Sequence, residues 1–161
     1  MNKKRSDSLH KTVTDFLAFL HDEEVNYDNH LIKLNVFLDE ISLTYHSIPS
    51  VSVEKFIDTQ KLEYEDIRRL VIKHFPELGL YNLPQEITQH IGQTNLVIGD
   101  AVDDVTDILC DLSEISWCFE NADENDALWH FRSGYEHHWG KHLKQLQLYL
   151  HSLQHENEAS K

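Results

Sequence analysis

Apolar residues recur every three or four positions along most of the chain, which is the spacing of one face of an α-helix. The pattern predicts three helices in the first half of the chain, over residues 7–22, 28–47 and 63–75. It predicts two longer helices in the second half, over residues 97–120 and 124–154. Helices of this number and length can form a bundle around one apolar core.

Two segments between these helices have a less regular pattern. Residues 52–60 give weak support for a short helix, and residues 76–95 predict a loop over the bundle or one helical turn. No segment alternates apolar and polar residues over a useful length, so no strand is predicted. We therefore predict an all-α fold, a single-domain antiparallel bundle of about five helices over residues 1–154, with a mobile tail over 155–161.

Composition and charge narrow the function classes. The 28 acidic and 14 basic residues give a net charge of −14, which repels phosphate backbones and anionic lipid and argues against binding to nucleic acid or to a membrane surface. A basic partner or a divalent cation stays compatible with this charge. Cys110 and Cys118 lie eight positions apart on one predicted helix, roughly 12 Å along its axis, too far to pair. Two thiols, no secretory pattern and no long apolar span predict a cytoplasmic protein.

The predicted helix over residues 97–120 has an acidic side opposite its apolar side. A helical wheel confines Asp100, Asp104, Asp107 and Asp111 to a stripe about 60° wide. Like charges at this spacing repel one another by a few tenths of a kcal/mol. Because most aspartates are exposed to solvent, the stripe alone is as consistent with a hydrated surface as with a site.

The last predicted helix places polar side chains beside its apolar face, within the sequence YEHHWGKH at residues 135–142. His142 falls inside the face, His138 and Arg132 fall at its borders, and Glu136 lies slightly farther out. Four other polar residues point toward solvent: His130, His137, Lys141 and Lys144. Inward-facing polar groups need partners, because unpaired buried polar atoms are costly.

A structural network is the interpretation that we favour for these groups. Asp107 and Asp111 are expected to pair with Arg132 and with the rings of His138 or His142, which fixes how the last two helices dock. The candidate network comprises Asp107, Asp111, Arg132, Glu136, His138 and His142.

A metal site is the competing interpretation of the same region. Two histidines at positions i and i+4 with carboxylates from a facing helix are suitable ligands for zinc, iron or manganese. The candidate ligands are Asp104, Asp107, Asp111, His138 and His142, with Glu136 as a general base in a metal-dependent hydrolase of a small phosphorylated or amide substrate. The Glu-x-x-His and His-Glu-x-x-His motifs are absent.

Other candidate chemistry is sparse. Trp129, Tyr135 and Trp139 could wall a pocket for a small molecule, provided that a concave apolar cleft lies beside them. The sequence has no glycine-rich phosphate loop, no Gly-x-Ser-x-Gly motif and no Cys-x-x-Cys motif. Cys110 lies near the acidic stripe, which raises a thiol pKa and disfavours a nucleophilic role.

Two segments resemble the family called domain of unknown function 5063. One is DDVTDILCDL at residues 103–112, and the other is DALWHFRSGYEHHWGKHLKQLQLYLHSL at residues 126–153. The sequence YEDIRRLVIKHF at 64–75 also resembles the family's middle helix. Cys110 departs from the pattern, since a basic residue is expected there. The resemblance implies an all-helical fold and transfers no catalytic role.

Together these observations favour a small, acidic, non-catalytic binding or interaction protein. An unidentified protein partner is expected, or a homodimer formed through a spare apolar face of the first or second helix. The alternatives are the metal-dependent hydrolase and the small-molecule-binding bundle described above, with a divalent metal as the cofactor.

Overall fold

The computed structural model describes residues 2–22, 29–53, 58–60 and 62–156. These residues form a single, mostly helical domain with a small two-stranded hairpin. The elements in chain order are α1 Asn2–His21, α2 His30–Ser47, α3 Tyr64–His74, β1 Leu80–Pro84, β2 Leu96–Asp100, α4 Ala101–Asn121, α5 Glu124–His137 and α6 Trp139–His155. The helical prediction is therefore confirmed, with six helices and a hairpin in place of about five helices alone.

Helix α4 is the centre of the bundle. It packs against α1, α3, α5 and α6, and its apolar side contributes Leu109, Leu112 and Ile115 to the buried core. The helix begins where the Asp100 carboxylate accepts a hydrogen bond from the backbone N–H of Val102 at 2.9 Å. Such a cap satisfies an amide that has no partner within the helix. With its apolar side buried, α4 presents its acidic side along the edges of α3 and α6.

The prediction that the chain forms no strand is wrong. Strands β1 and β2 pair antiparallel in a register that runs from Leu80 opposite Asp100 to Pro84 opposite Leu96. Strand β2 also replaces the first turn of the helix predicted to begin at residue 97. Apolar side chains occupy both faces of the hairpin, so these strands lack the alternation by which a half-buried strand is recognised.

The prediction of one continuous helix over residues 124–154 is also wrong. The chain leaves helical geometry at His138, with φ −138° and ψ −91°, between α5 and α6. Gly140 is required for this break, because a Cβ atom there would lie only 2.1 Å from the carbonyl oxygen of Tyr135. The break changes the direction of the chain next to both histidines of the candidate site.

Two further predictions fall partly outside the described residues. The short helix proposed at 52–60 includes residues 54–57, which lie outside them, and its described residues 52–53 and 58–60 are not helical. The tail proposed at 155–161 includes residues 157–161, which also lie outside the described residues, while α6 extends through His155.

No helix in the described part of the chain combines the length and apolar composition needed to cross a bilayer.

Candidate metal centre

The acidic side of α4 lies against the start of α6, where two histidines face it. Three aspartates at helical spacing, Asp104, Asp107 and Asp111, project toward His138 and His142. The two imidazole rings are neighbours, with centroids 5.4 Å apart and planes nearly perpendicular. One helix thus supplies the carboxylates, and the segment after the α5–α6 break supplies the rings.

Each imidazole is oriented by its own carboxylate. The Nδ1 atom of His138 lies 2.9 Å from Oδ2 of Asp111, and Nδ1 of His142 lies 2.6 Å from Oδ1 of Asp104. A carboxylate hydrogen-bonded to one ring nitrogen fixes the tautomer in which that nitrogen carries the proton. The Nε2 atom of each ring is then the nitrogen that can accept a proton or coordinate a metal.

Asp107 is the third carboxylate of the cluster. Its Oδ2 atom lies 3.7 Å from Nε2 of His142, beyond hydrogen-bonding distance. The cluster offers three ligand atoms that all lie within 4.8 Å of one another: one carboxylate oxygen of Asp107 and one ring nitrogen each of His138 and His142. This spacing is suited to a single ion. Burial raises the pKa of the Asp107 carboxyl, against the opposing effect of His142 and His138.

The pKa of His142 is shifted in the direction expected for a paired histidine. The hydrogen bond to Asp104 raises it, burial opposes this effect, and the charges of Asp104 and Asp107 raise it further. The ring therefore binds a proton more readily than an ordinary imidazole. A metal ion at Nε2 would have to displace that proton.

Asp104 is almost completely buried, with 5% of its surface exposed, and it has a second partner from the hairpin. The hydroxyl of Tyr81 in β1 donates a hydrogen bond to Oδ2 of Asp104. Burial and this hydrogen bond both raise the pKa of Tyr81, so the phenol keeps its proton. Sequence reasoning missed Tyr81, because its segment was predicted to be a loop or one helical turn and no spacing rule connects it to α4.

Arg132 and Glu136 form a separate cluster, contrary to the predicted pairing of Arg132 with the aspartates. Arg132 donates to the carbonyl oxygen of Ile48 and to Oε1 of Glu136, both at 2.7 Å. The hydroxyl of Tyr45 also donates to Glu136 at 2.8 Å. These bonds lower the pKa of Glu136, the Tyr45 bond most strongly. Glu136 is therefore poorly suited to act as the general base proposed for it.

The remaining candidates occupy several environments. Asp100 caps α4, and its Oδ2 atom lies 3.9 Å from the Nη2 atom of Arg68. His137, Lys141 and Lys144 are exposed, and His130 is half-buried. Burial and the nearby Asp107 and Asp111 raise the pKa of Cys110 to about 11, which keeps the thiol protonated.

The pockets described for this structure include none that is lined by all three aromatic residues proposed to wall one. Trp139 is fully buried and packs against Phe131, and Tyr135 stacks on Tyr45 with ring centroids 3.8 Å apart. Trp129 does line a shallow cleft of about 250 Å³ beside the cluster, with Asp111, Gly134 and His138 on its walls. The cleft gives the His138 side of the cluster access to solvent.

Comparisons with known proteins give a fold and a family. No curated protein matches the sequence. The crystal structure of protein BF1032 from Bacteroides fragilis, a structural-genomics target, is similar at 18% sequence identity with a TM-score of 0.73, over 93% of this chain and 92% of that one. This likeness supports the fold alone. The family model for domain of unknown function 5063 matches residues 2–156, and the chain therefore belongs to that family.

Proposed function

We propose that the protein is a binding protein for a divalent transition-metal ion, which Asp107, His138 and His142 would hold together. The observation that carries this proposal is the orientation of the two imidazoles. Each has its Nδ1 atom against a different aspartate, and one ligand atom from each ring lies within 4.8 Å of an oxygen of a third aspartate. Carboxylate-oriented histidines of this kind are typical of protein metal sites.

Zinc, iron(II) and manganese suit the proposed set of two nitrogen ligands and one oxygen ligand. Asp104 and Asp111 would then be positioning residues that hold the rings and keep Nε2 available. The acidic side of α4 would also raise the local concentration of cations. Three protein ligands leave at least one coordination position for water or a small molecule.

The competing explanation is that the cluster only fixes the docking of α4 on α6. The same hydrogen bonds would serve that purpose without a metal ion, and the protein would then act by binding another molecule elsewhere. The two explanations differ in one respect that can be measured, since a purely structural cluster takes up no metal at stoichiometric levels.

Metal uptake by the untagged protein tests the proposal. Protein stripped with a chelator would be loaded with zinc, iron(II) or manganese, dialysed, and analysed for metal per chain. We expect one ion per chain in the wild type and strong loss of binding in Asp107→Asn, His138→Gln and His142→Gln. The structural role of each ring is monitored in the same samples by thermal unfolding without metal.

A second histidine pair on α6 provides a matched control. His151 and His155 are also at positions i and i+4, with ring centroids 4.6 Å apart, but both are exposed. The double variant His151→Gln, His155→Gln should keep the bound ion. Absence of stoichiometric uptake in the wild type, or uptake lost only in this control, would exclude the proposed site.

The cleft beside His138 favours metal-dependent hydrolysis as a second candidate function. Of the proposed ligands His138 lines this cleft, and a metal ion held there would supply an activated water to a substrate bound beside Asp111 and Trp129. Glu114 also lines this cleft, so its charge favours a neutral or cationic amide over a phosphorylated substrate. Hydrolysis of amide substrates by the loaded protein, absent in Asp107→Asn, would support this activity, and a metal-loaded protein without hydrolysis would leave binding alone.

A further inference from the structure

The β1–β2 hairpin exposes an apolar face. Residues that pair across an antiparallel sheet lie on the same face, so Ile98 shares a face with Asn82, and Leu96 with Pro84. Leu80 belongs to this face as well, two residues before Asn82. The exposed fractions are 67% for Leu80, 69% for Leu96 and 75% for Ile98. Exposed apolar residues clustered in this way mark an interaction surface.

Strand β1 also has an outer edge that pairs with no other described strand. The carbonyl oxygen of Gly79 accepts from Ala101 N–H, and Gln85 N–H donates to the carbonyl oxygen of Asn95. Because hydrogen-bonding direction alternates along a strand, the backbone groups of Leu80 and Asn82 point away from β2. Within the described residues the sheet contains only β1 and β2, so no described strand pairs with the outer edge of β1.

A groove of about 420 Å³ runs between this edge and helix α6. All five residues of β1 line it, and α6 contributes Leu148, which is 65% exposed, and Tyr149. The hydroxyl of Tyr149 accepts a hydrogen bond from Gly79 N–H at 3.0 Å, and its ring lies 4.9 Å from that of Tyr81. These contacts fix β1 against helix α6 beside the groove. An exposed strand edge can accept an added strand.

Charge distinguishes the groove from the rest of the protein. Among the described residues that line it, Glu156 alone carries a charge, although the chain has a net charge of −14. Two copies of so acidic a chain repel each other least where their charges are absent. A basic partner would instead be attracted to the acidic side of α4. The groove therefore suits an uncharged strand, and β1 itself is one: Leu-Tyr-Asn-Leu-Pro.

We propose that the β1 edge is a homodimer interface, in which β1 pairs antiparallel with β1 of a second copy about a twofold axis at Asn82. The N–H of Asn82 would donate to the carbonyl oxygen of the partner's Asn82, and the reverse bond follows by symmetry. The N–H of Leu80 would donate to the carbonyl oxygen of the partner's Pro84. The hydrogen-bonded pairing ends at this position, because Pro84 has no backbone N–H to donate to the second copy. The product is a four-stranded sheet, and it does not depend on metal binding.

The dissociation constant of the dimer, measured by sedimentation from micromolar to millimolar protein, tests this interface. Leu80→Glu brings like charges into the groove, and Asn82→Pro removes the N–H that pairs at the axis while leaving the bonds to β2 intact. We expect each variant to raise the dissociation constant more than about tenfold. Circular dichroism checks that the helices are retained, and if Asn82→Pro does not fold, Leu80→Glu decides the question.

Helix α2 supplies the matched control. Its exposed residues Ile32, Val36 and Leu43 form a spare apolar face on one of the two helices predicted as candidates for dimerisation. Leu43 is 73% exposed, close to the value for Leu80, and Leu43→Glu should leave the dimer unchanged. A wild type that is monomeric over the whole range, or a dimer dissociated by Leu43→Glu and not by Leu80→Glu, would overturn the proposal.

Discussion

Two histidine environments in this bundle have opposite character. His142, between α4 and α6, has a carboxylate on Nδ1, and its pKa is raised mainly by that hydrogen bond. His74, at the end of α3, is 1% exposed, and neither of its ring nitrogens makes a hydrogen bond of ordinary geometry within the described residues. Burial lowers the pKa of His74 and the charge of Lys73 lowers it further, while the nearby backbone of Leu20 and the charge of Asp22 oppose these effects without reversing them.

The difference shows what a carboxylate does for a partly buried imidazole. His142 can hold a proton or exchange it for another cation, since Asp104 and Asp107 compensate the charge. His74 contacts Phe19 and Phe75 and is kept neutral by its surroundings. Only the first environment is suited to bind a metal ion, and the second is expected to reduce stability because its polar atoms are buried without hydrogen bonds of ordinary geometry.

The largest expected effect comes from Gly140→Ala, which disturbs the His142 environment without changing a polar side chain. The new Cβ would lie 2.1 Å from the Tyr135 carbonyl oxygen, a backbone atom that cannot rotate away. We expect the free energy of unfolding to fall by about 3 kcal/mol as α5 and α6 shift. Chemical denaturation measures this change. Gly79→Ala is the control, since its Cβ would meet nothing closer than 3.9 Å, and an equal loss there would contradict the steric argument.

The next effect comes from Asp104→Asn, which removes the charge that compensates His142. The variant keeps the side-chain shape but weakens the bonds from His142 and Tyr81. We expect a loss of about 2 kcal/mol in the free energy of unfolding, and a lower pKa for His142 by NMR titration of metal-free protein. Glu120→Gln, which removes an exposed carboxylate on the same helix, should change neither quantity. An unchanged His142 pKa in Asp104→Asn would show that the hydrogen bond is not its cause.

Part of this contrast could be predicted from sequence. Helical spacing places Asp104, Asp107 and Asp111 on one side of α4, and it places His138 and His142 next to the apolar face of the last helix. That reasoning needs only local geometry, and the structure does bring these five residues together.

The individual partners could not be predicted, because they depend on features without a local signal. The break at His138 rests on a close approach between Gly140 and Tyr135, and it changes which aspartate each ring contacts. Tyr81 comes from a hairpin whose apolar residues are exposed, so its strands do not alternate. The isolation of His74 depends on how Phe19 and Phe75 pack, which one sequence does not specify.

A smaller effect of opposite sign is expected for His74→Leu. Leucine fills a similar volume and removes two polar atoms that make no hydrogen bond of ordinary geometry among the described residues. We expect the free energy of unfolding to rise by about 1 kcal/mol. The control is His30→Leu, because His30 is also buried but its Nε2 atom lies 2.9 Å from Oε2 of Glu77. That variant should be destabilised, and a destabilised His74→Leu would mean that its ring does have a compensating partner.

The smallest expected effect is the contribution of His74 to the pH dependence of the free energy of unfolding. Its folded-state pKa lies below the ordinary value of 6.5, so the unfolded chain binds the proton more readily. Stability from this residue is therefore present above pH 6.5 and is lost as the pH falls toward the folded-state pKa. Between pH 7 and pH 6 the loss is at most about 0.7 kcal/mol for one imidazole. The difference in unfolding free energy between wild type and His74→Leu isolates it, because the other titrating groups, His142 included, are common to both proteins. A difference that does not change with pH would show that His74 titrates alike in the folded and unfolded states, and the contrast with His142 would then rest on the paired ring alone.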